Sequence, residues 1–423
     1  MRVYKINGGK PLSGSVNISG AKNSSLAIIS AAIMNNKICK LYNVPRVSDV
    51  MALIEALKNI GVIIEWIDEH TLLINGNNIN PNIEIAYDAI KKIRASYYLL
   101  GALLGKYKKA MVSLPGGCNI GDRPIDLHIK GFKMLGAKIW LSHGIINAKA
   151  DELKGAEIFF DTISVGATIN VMLAAALSEG RSILQNAATE PHVVDVANFL
   201  NSMGAKIKGA GTRTIVIDGV REFNRDVEYS IIPDQIEAGT FMVAAAMTKG
   251  NVTVNNVCPF HLMSITSKLK EMGAVVEEGT NYIHVNGPDF LTAINIVTMP
   301  HPGFPTDMQA QFAAACCVAN GNSIIEENIF ENRFLYSAEL RRLGANIIQS
   351  DNIIVIDGSG GKFLSGAEVT ACDLRAGAAL VLAGLVSEGT TIIHNIEYIE
   401  RGYEDFVRKL NLLNADIELI EKK

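Results

Sequence analysis

LNSMGAKIKG, residues 200–209, reads as a helix that stops on a glycine and continues as a strand. Leu200 and Met203 are the apolar positions of the last helical turn. Gly204 supplies the left-handed backbone that ends it, and Ala205 begins an extended segment. The phrase recurs along the whole chain. Its other copies are ALKNIGVIIEW around Gly61, FKMLGAKIWL around Gly136, LKEMGAVVEE around Gly273, LRRLGANIIQ around Gly344 and LNLLNADIEL around Asn414. The steps between these turn residues are 75, 68, 69, 71 and 70. Steps so even mark an internal repeat, and asparagine is the residue that best replaces glycine at such a turn.

A second phrase recurs in phase with the first: an Ala-rich apolar helix, a turn, then a short strand. It reads NVMLAAALSEGRSIL, TFMVAAAMTKGNVTV, QFAAACCVANGNSII and LVLAGLVSEGTTII, with an earlier copy in YYLLGALLGKYKKAMVSL. The first copy, SLAIISAAIMNNKICKL, turns on Asn35 and Asn36. Helices that are apolar all round belong inside a core, whereas SDVMALIEALKNI has one apolar face. Each unit closes with two short strands, as in AKIKGAG followed by TIVIDG.

Each repeat is therefore predicted as βαβαββ, and the chain as a mixed α/β protein of α+β repeats. Six such units exceed a single core, which predicts two domains of three repeats each. The boundaries fall at 22–232 for one domain and at 1–21 plus 233–423 for the other, with a cleft between them. Residues 1–21 are then spare strands that must pair elsewhere, and the far end of the chain is the candidate.

Composition sets limits. The chain has 423 residues, is 48% hydrophobic and carries a net charge of −4, against the basic surplus of a nucleic-acid binder. Its six cysteines have no CxxC spacing, so neither a zinc site nor a redox framework follows, and no metal or cofactor is expected. Cys316 and Cys317 lie in an apolar run and read as buried small hydrophobes. The N-terminus lacks a signal pattern, and apolar runs such as Ala376 to Val386 are too short to span a bilayer. A soluble, cytoplasmic protein with no membrane partner is expected; oligomeric state is left open.

The starts of the buried helices carry the chemistry. They read SGAKNSSLAI, IRASYYLL, SVGATINVML, IEAGTFMVAA, FPTDMQAQF and CDLRAGAALV. Free N–H groups at a helix start favour anions, so Lys22, Arg94 and Arg375 are placed unfavourably for the helix itself unless an anion joins them. Each has a plainer reading alone. Asp307 or Asn23 is an ordinary cap, Lys22 a solvated lysine, and Arg94 or Arg375 a buried ion-pair partner. The repeat register brings these positions together independently of their chemistry.

The loop LPGGCNIGDRPIDLH, residues 114–128, is rich in turn residues and suited to closing over a substrate. A lone cysteine is commonly inert core, but Cys118 among glycines and polar residues is a poor core candidate. Arg123 nearby favours its thiolate and Asp122 opposes it. His128 reads as a polar loop or helix-start residue with no chemistry assigned.

SGAKN at 19–23, IRAS at 93–96, the loop at 114–128, SVGAT at 164–168, HPGFPTDMQ at 301–309, FENRF at 330–334, DLRAGAALVLAG at 373–384 and RGY at 401–403 together resemble one family. It is that of the UDP-N-acetylglucosamine 1-carboxyvinyltransferases, which open peptidoglycan synthesis, and the likeness covers essentially the whole chain. The resemblance implies a two-domain inside-out α/β barrel of the enolpyruvyl transferase kind. It implies phosphoenolpyruvate and UDP-N-acetylglucosamine as small-molecule substrates. Lys22, Arg123 and Arg401 are implied around phosphoenolpyruvate, with Arg375 near its carboxylate. Asn23, Arg94 and the segment Arg123, Pro124, Ile125, Asp126 and Leu127 are implied at the nucleotide sugar, the last two near the uracil. Thr162, Ile163, Ser164 and Val165 are implied near the diphosphate, and Asp307 and Ile329 near the sugar hydroxyl and acetamido group. Cys118 is implied as proton donor and as the site of fosfomycin attachment, and Asp307 as the base.

Thr162, Thr189 and Gln235 stand where some members carry lysine, arginine and arginine, which puts diphosphate or interdomain contacts in question. Rival readings are the sister transferase acting on shikimate 3-phosphate, a non-catalytic nucleotide-sugar-binding paralogue and, most weakly, a nucleic-acid clamp.

Overall fold

The turn residues of all six repeats adopt the backbone their positions demand. φ is 100° at Gly61, 95° at Gly136, 112° at Gly204, 97° at Gly273, 95° at Gly344 and 68° at Asn414. The structure is a computed structural model that describes residues 2–80, 94–113, 125–358 and 364–421, apart from the side chains of Arg94 and Ala95. The chain divides into two compact units. Unit one holds the described residues of Met1–Ser19 and Pro233–Lys423; unit two holds those of Gly20–Gly117 and Arg123–Ile232.

The third repeat shows the plan. Glu157–Phe159 runs parallel to Arg181–Gln185, Thr214–Asp218 pairs antiparallel with that strand, and Lys206–Lys208 forms the outer edge. The parallel step takes its crossover through the helix Val165–Ala176. The same order recurs in unit one with Asn295–Val297, Asn322–Glu326, Ile353–Asp357 and Asn346–Ser350. Strands distant in sequence complete other sheets. Val227–Ser230 runs parallel to Cys39–Tyr42, and Ser13–Asn17 runs parallel to Asn251–Asn255. Arg2–Asn7 lies between Thr390–His394 and Ile417–Glu421, which is where the leading strand of the chain finds its partners.

Three Ala-rich helices fill the centre of each unit. In unit two these are Lys22–Ala32, Tyr98–Tyr107 and Val165–Ala176. In unit one they are Gln235–Met247, Gln309–Cys316 and Leu374–Val386. Small residues let them approach closely. A Cβ on Gly101 would lie 2.2 Å from the carbonyl oxygen of Asn170, so only glycine fits between those two helices. Cys316 and Cys317 are buried in the unit-one core, as an apolar run requires.

A buried ion pair ties the leading segment into unit one. Glu237 accepts from Lys409 Nζ at 2.6 Å and from the Ser19 backbone N–H at 2.8 Å. Burial pushes the Glu237 carboxyl up to about 7, and Lys409 opposes that rise. Among the described residues no helix is long and apolar enough to cross a membrane.

Candidate active site

In both units the three central helices begin at the same end. In unit two, the Gly101 N–H donates to Asn170 Oδ1 at 2.8 Å near both helix starts, while Gly105 lies against Leu173 and Ala174 further along. Lys106 Nζ reaches the Ile33 carbonyl at 2.9 Å, which joins the far ends of the first two helices. In unit one, Gln311 Nε2 donates to Thr240 Oγ1 at 3.2 Å and Arg375 reaches Asp307, again at the helix starts. Three aligned helix N-termini concentrate unpaired N–H groups and partial positive charge on one end of each unit.

Unit one carries the denser constellation there. Asp307 sits in the one-turn helix Thr306–Met308 and does not cap the helix that follows. Its carboxylate instead lies between two guanidinium groups. Oδ1 accepts from Arg333 Nη2 at 2.8 Å, and Oδ2 accepts from Arg375 Nη2 at 3.1 Å. Both arginine side chains are 4% exposed, whereas Asp307 is 30% exposed. A charged, accessible carboxylate is thus held by two cations that water cannot reach. Burial works against the charge of Arg375, but Asp307, Tyr403 and Asp234 more than offset it and hold its pKa above the ordinary arginine value. The guanidinium also lies over the Tyr403 ring, 5.6 Å from its centroid. Among the described residues its buried Nη1 has no hydrogen-bond partner within normal bonding distance. Asp373 caps the Arg375 helix by accepting from the N–H groups of Arg375 and Ala376. Arg401, half-buried, ends the turn Ile396–Arg401.

Glu327 holds this neighbourhood together. Its Oε1 accepts from the N–H groups of Ile329 at 2.8 Å and Phe330 at 3.1 Å. Its Oε2 accepts from Thr306 Oγ1 at 2.8 Å and Gln309 Nε2 at 3.3 Å. Neither Arg333 nor Glu327 is a candidate on sequence grounds. Arg333 lies in the motif FENRF, but its contact with Asp307 spans 26 residues and leaves no trace in local patterning. Glu327 is 2% exposed, and its partners too are set by the fold rather than by local patterning.

In unit two, Lys22 begins its helix and ion-pairs with Asp49 at 3.3 Å, so part of the local electrostatic penalty is already met by a carboxylate. Asn23 follows it, half-buried. Arg94 opens the turn Arg94–Tyr97, which leads into the second central helix. Ile125 precedes the helix Asp126–Met134, in which Asp126 is exposed and Leu127 buried. Thr162 is exposed, and Ile163 and Val165 are half-buried. Ser164 caps the third central helix by accepting from the Ala167 N–H at 3.2 Å. Cys118, Arg123 and Pro124 lie outside the described residues.

His128, left without a role by the sequence, organises this end of unit two. Asn170 Oδ1 is fixed by the Gly101 N–H, so Asn170 Nδ2 donates both to the Tyr97 carbonyl at 2.8 Å and to His128 Nδ1 at 2.9 Å. His128 must accept at Nδ1 and is therefore neutral. Burial pushes its pKa down to about 4, and Asp126 opposes that fall only partly. The unfolded chain takes up this proton near pH 6.5 and the folded one only near 4, so stability is full above 6.5 and is lost as pH falls between those values. The expected loss is about 3 kcal/mol across that window. Urea unfolding measured from neutral to acid pH should show it, and His128→Gln, which can accept but not titrate, should flatten the slope.

Comparison with known proteins adds the following. Residues 6–410 match the family model described as EPSP synthase (3-phosphoshikimate 1-carboxyvinyltransferase). A UDP-N-acetylglucosamine 1-carboxyvinyltransferase of Clostridium botulinum is 52% identical over 418 residues, covering 99% of each chain. One from Halothermothrix orenii is 49% identical over 421 residues, covering 100% of each. Among solved structures, the enolpyruvyl transferase NikO from Streptomyces tendae superposes with a TM-score of 0.90 at 26% identity, over 99% of both chains. EPSP synthase from Acinetobacter baumannii shares the fold, with a TM-score of 0.78 at 20% identity over 100% of both chains.

Proposed function

The chain belongs to the EPSP synthase family of enolpyruvyl transferases, and on that premise we propose that it moves the enolpyruvyl group of phosphoenolpyruvate to the 3′-hydroxyl of UDP-N-acetylglucosamine, releasing phosphate. The observation that carries this is the identity of about half, spread over the full chain, with relatives named for that reaction. The sister reaction on shikimate 3-phosphate has only the shared fold and the broad family model behind it.

The proposed chemistry is addition followed by elimination. A proton adds to C3 of phosphoenolpyruvate, with Cys118 as the donor. The sugar hydroxyl attacks C2 as Asp307 takes its proton. The tetrahedral adduct then loses a C3 proton and phosphate, restoring the double bond. Arg375, a permanently charged guanidinium near the start of its helix, suits the donor carboxylate. Lys22, Arg123 and Arg401 balance the remaining negative charge. Asn23, Arg94, the segment Pro124 to Leu127 and Thr162 to Val165 position the nucleotide sugar. The reaction takes place in the cytoplasm. A non-catalytic paralogue would have no use for an accessible carboxylate clamped by two buried cations.

Thr162 and Gln235 offer the nucleotide no charge where some relatives place a cation, so diphosphate affinity rests more heavily on backbone N–H groups at the Ser164 cap. Phosphate release from phosphoenolpyruvate tests the assignment. UDP-N-acetylglucosamine should stimulate it strongly and shikimate 3-phosphate should not; the reverse preference would overturn the reading.

A further inference from the structure

We propose that Glu327 is the positioning residue that registers the sugar acceptor against its base. This rests on the reading of Asp307 and Ile329 given above.

The parallel strands Asn295–Val297 and Asn322–Glu326 end side by side, and each leads into a segment that bears one of those residues. After the first comes the turn Thr306–Met308 with Asp307; after the second comes the loop with Ile329. Nothing in a strand pairing fixes the position of two irregular segments beyond its end. Glu327 does so. One carboxylate oxygen takes the N–H groups of Ile329 and Phe330, and the other takes Thr306 and Gln309.

The donors around it are themselves fixed. Gln309 Oε1 accepts from the Tyr336 hydroxyl at 2.6 Å, so its Nε2 must face Glu327. The Asn328 N–H donates to Thr298 Oγ1 at 2.9 Å, which holds the base of the loop. Among the described residues no lysine or arginine pairs with Glu327, although it is 2% exposed. A buried carboxylate held only by neutral donors is expensive as a stability device. It has one property an amide lacks: both ends accept. A glutamine there would turn an NH2 group toward one pair of donors and release one of the two segments. Release on one side shifts Ile329, and release on the other shifts Asp307. Displacement of a reacting group by about 1 Å can slow a reaction by about a hundredfold.

The test is steady-state kinetics of full-length wild type, Glu327→Gln, Thr306→Val and Thr306→Ser, with both substrates varied. Glu327→Gln should raise KM for UDP-N-acetylglucosamine about tenfold and lower kcat by about a hundredfold, leaving KM for phosphoenolpyruvate within about twofold. Thr306→Val, which loses only a donor on the Asp307 side, should lower kcat with little change in either KM. Thr306→Ser keeps the hydroxyl and should restore the rate. The threonine pair decides the matter should Glu327→Gln not fold. Unchanged kinetics in a folded Glu327→Gln, equal rises in both KM values, or equal rates for Thr306→Val and Thr306→Ser would overturn the proposal. An inactive wild type would instead overturn the function on which it rests.

Discussion

Asp307→Asn is expected to lower kcat by about a thousandfold while UDP-N-acetylglucosamine still binds. The substitution keeps the side-chain shape and removes the group that takes the hydroxyl proton. It also disturbs two neighbours. The carboxylate spans Arg333 at 2.8 Å and Arg375 at 3.1 Å, and an amide can accept from only one of them. Depriving a buried cation of its partner costs about 3–5 kcal/mol when water is fully excluded. Asp307 is 30% exposed, so water screens part of that, and a stability loss of about 2 kcal/mol is expected. Rate and stability thus fall by very different factors. Calorimetric titration with the nucleotide sugar, phosphate-release kinetics and thermal melting separate the two. Wild-type turnover in Asp307→Asn would remove its role as base.

Arg375 should be the next most sensitive position, and lysine should not replace it. The guanidinium donates to Asp307 and lies 5.6 Å over the Tyr403 ring. An ammonium is a point charge and cannot meet both demands from one place. Arg375→Lys is expected to lower kcat/KM for phosphoenolpyruvate by about a hundredfold. Arg375→Ala should in addition lose about 3–5 kcal/mol of stability, since it empties a fully buried site beside a carboxylate. Unaltered phosphoenolpyruvate kinetics in a folded Arg375→Lys would return this residue to a structural ion pair.

Much of the fold was legible because it is written in local rules repeated six times. A helix that ends on Gly204 or Asn414 announces itself through the backbone conformation the residue allows, and the φ angles agree. The all-apolar helices declared their burial in the same way. What the sequence conceals is pairing at a distance. Arg333 and Asp307, or Glu327 and Thr306, meet because two strands end together, and no periodicity records which side chains then face each other. Asn170 is a signal of another kind. A polar residue inside an otherwise apolar buried helix needs partners, and here it fixes Tyr97, Gly101 and His128 at once. Asp307 misleads in the opposite sense. Its place before a helix resembles a cap, but the two arginines claim its carboxylate instead.

Proton NMR of a mixture of the enzyme, phosphoenolpyruvate and UDP-N-acetylglucosamine follows the transfer itself. Vinyl signals of a new ether on the sugar 3′-oxygen should grow in step with free phosphate, and neither should form without the sugar. Phosphate appearing at the same rate with no acceptor present, or with no vinyl ether formed, would contradict enolpyruvyl transfer by this protein.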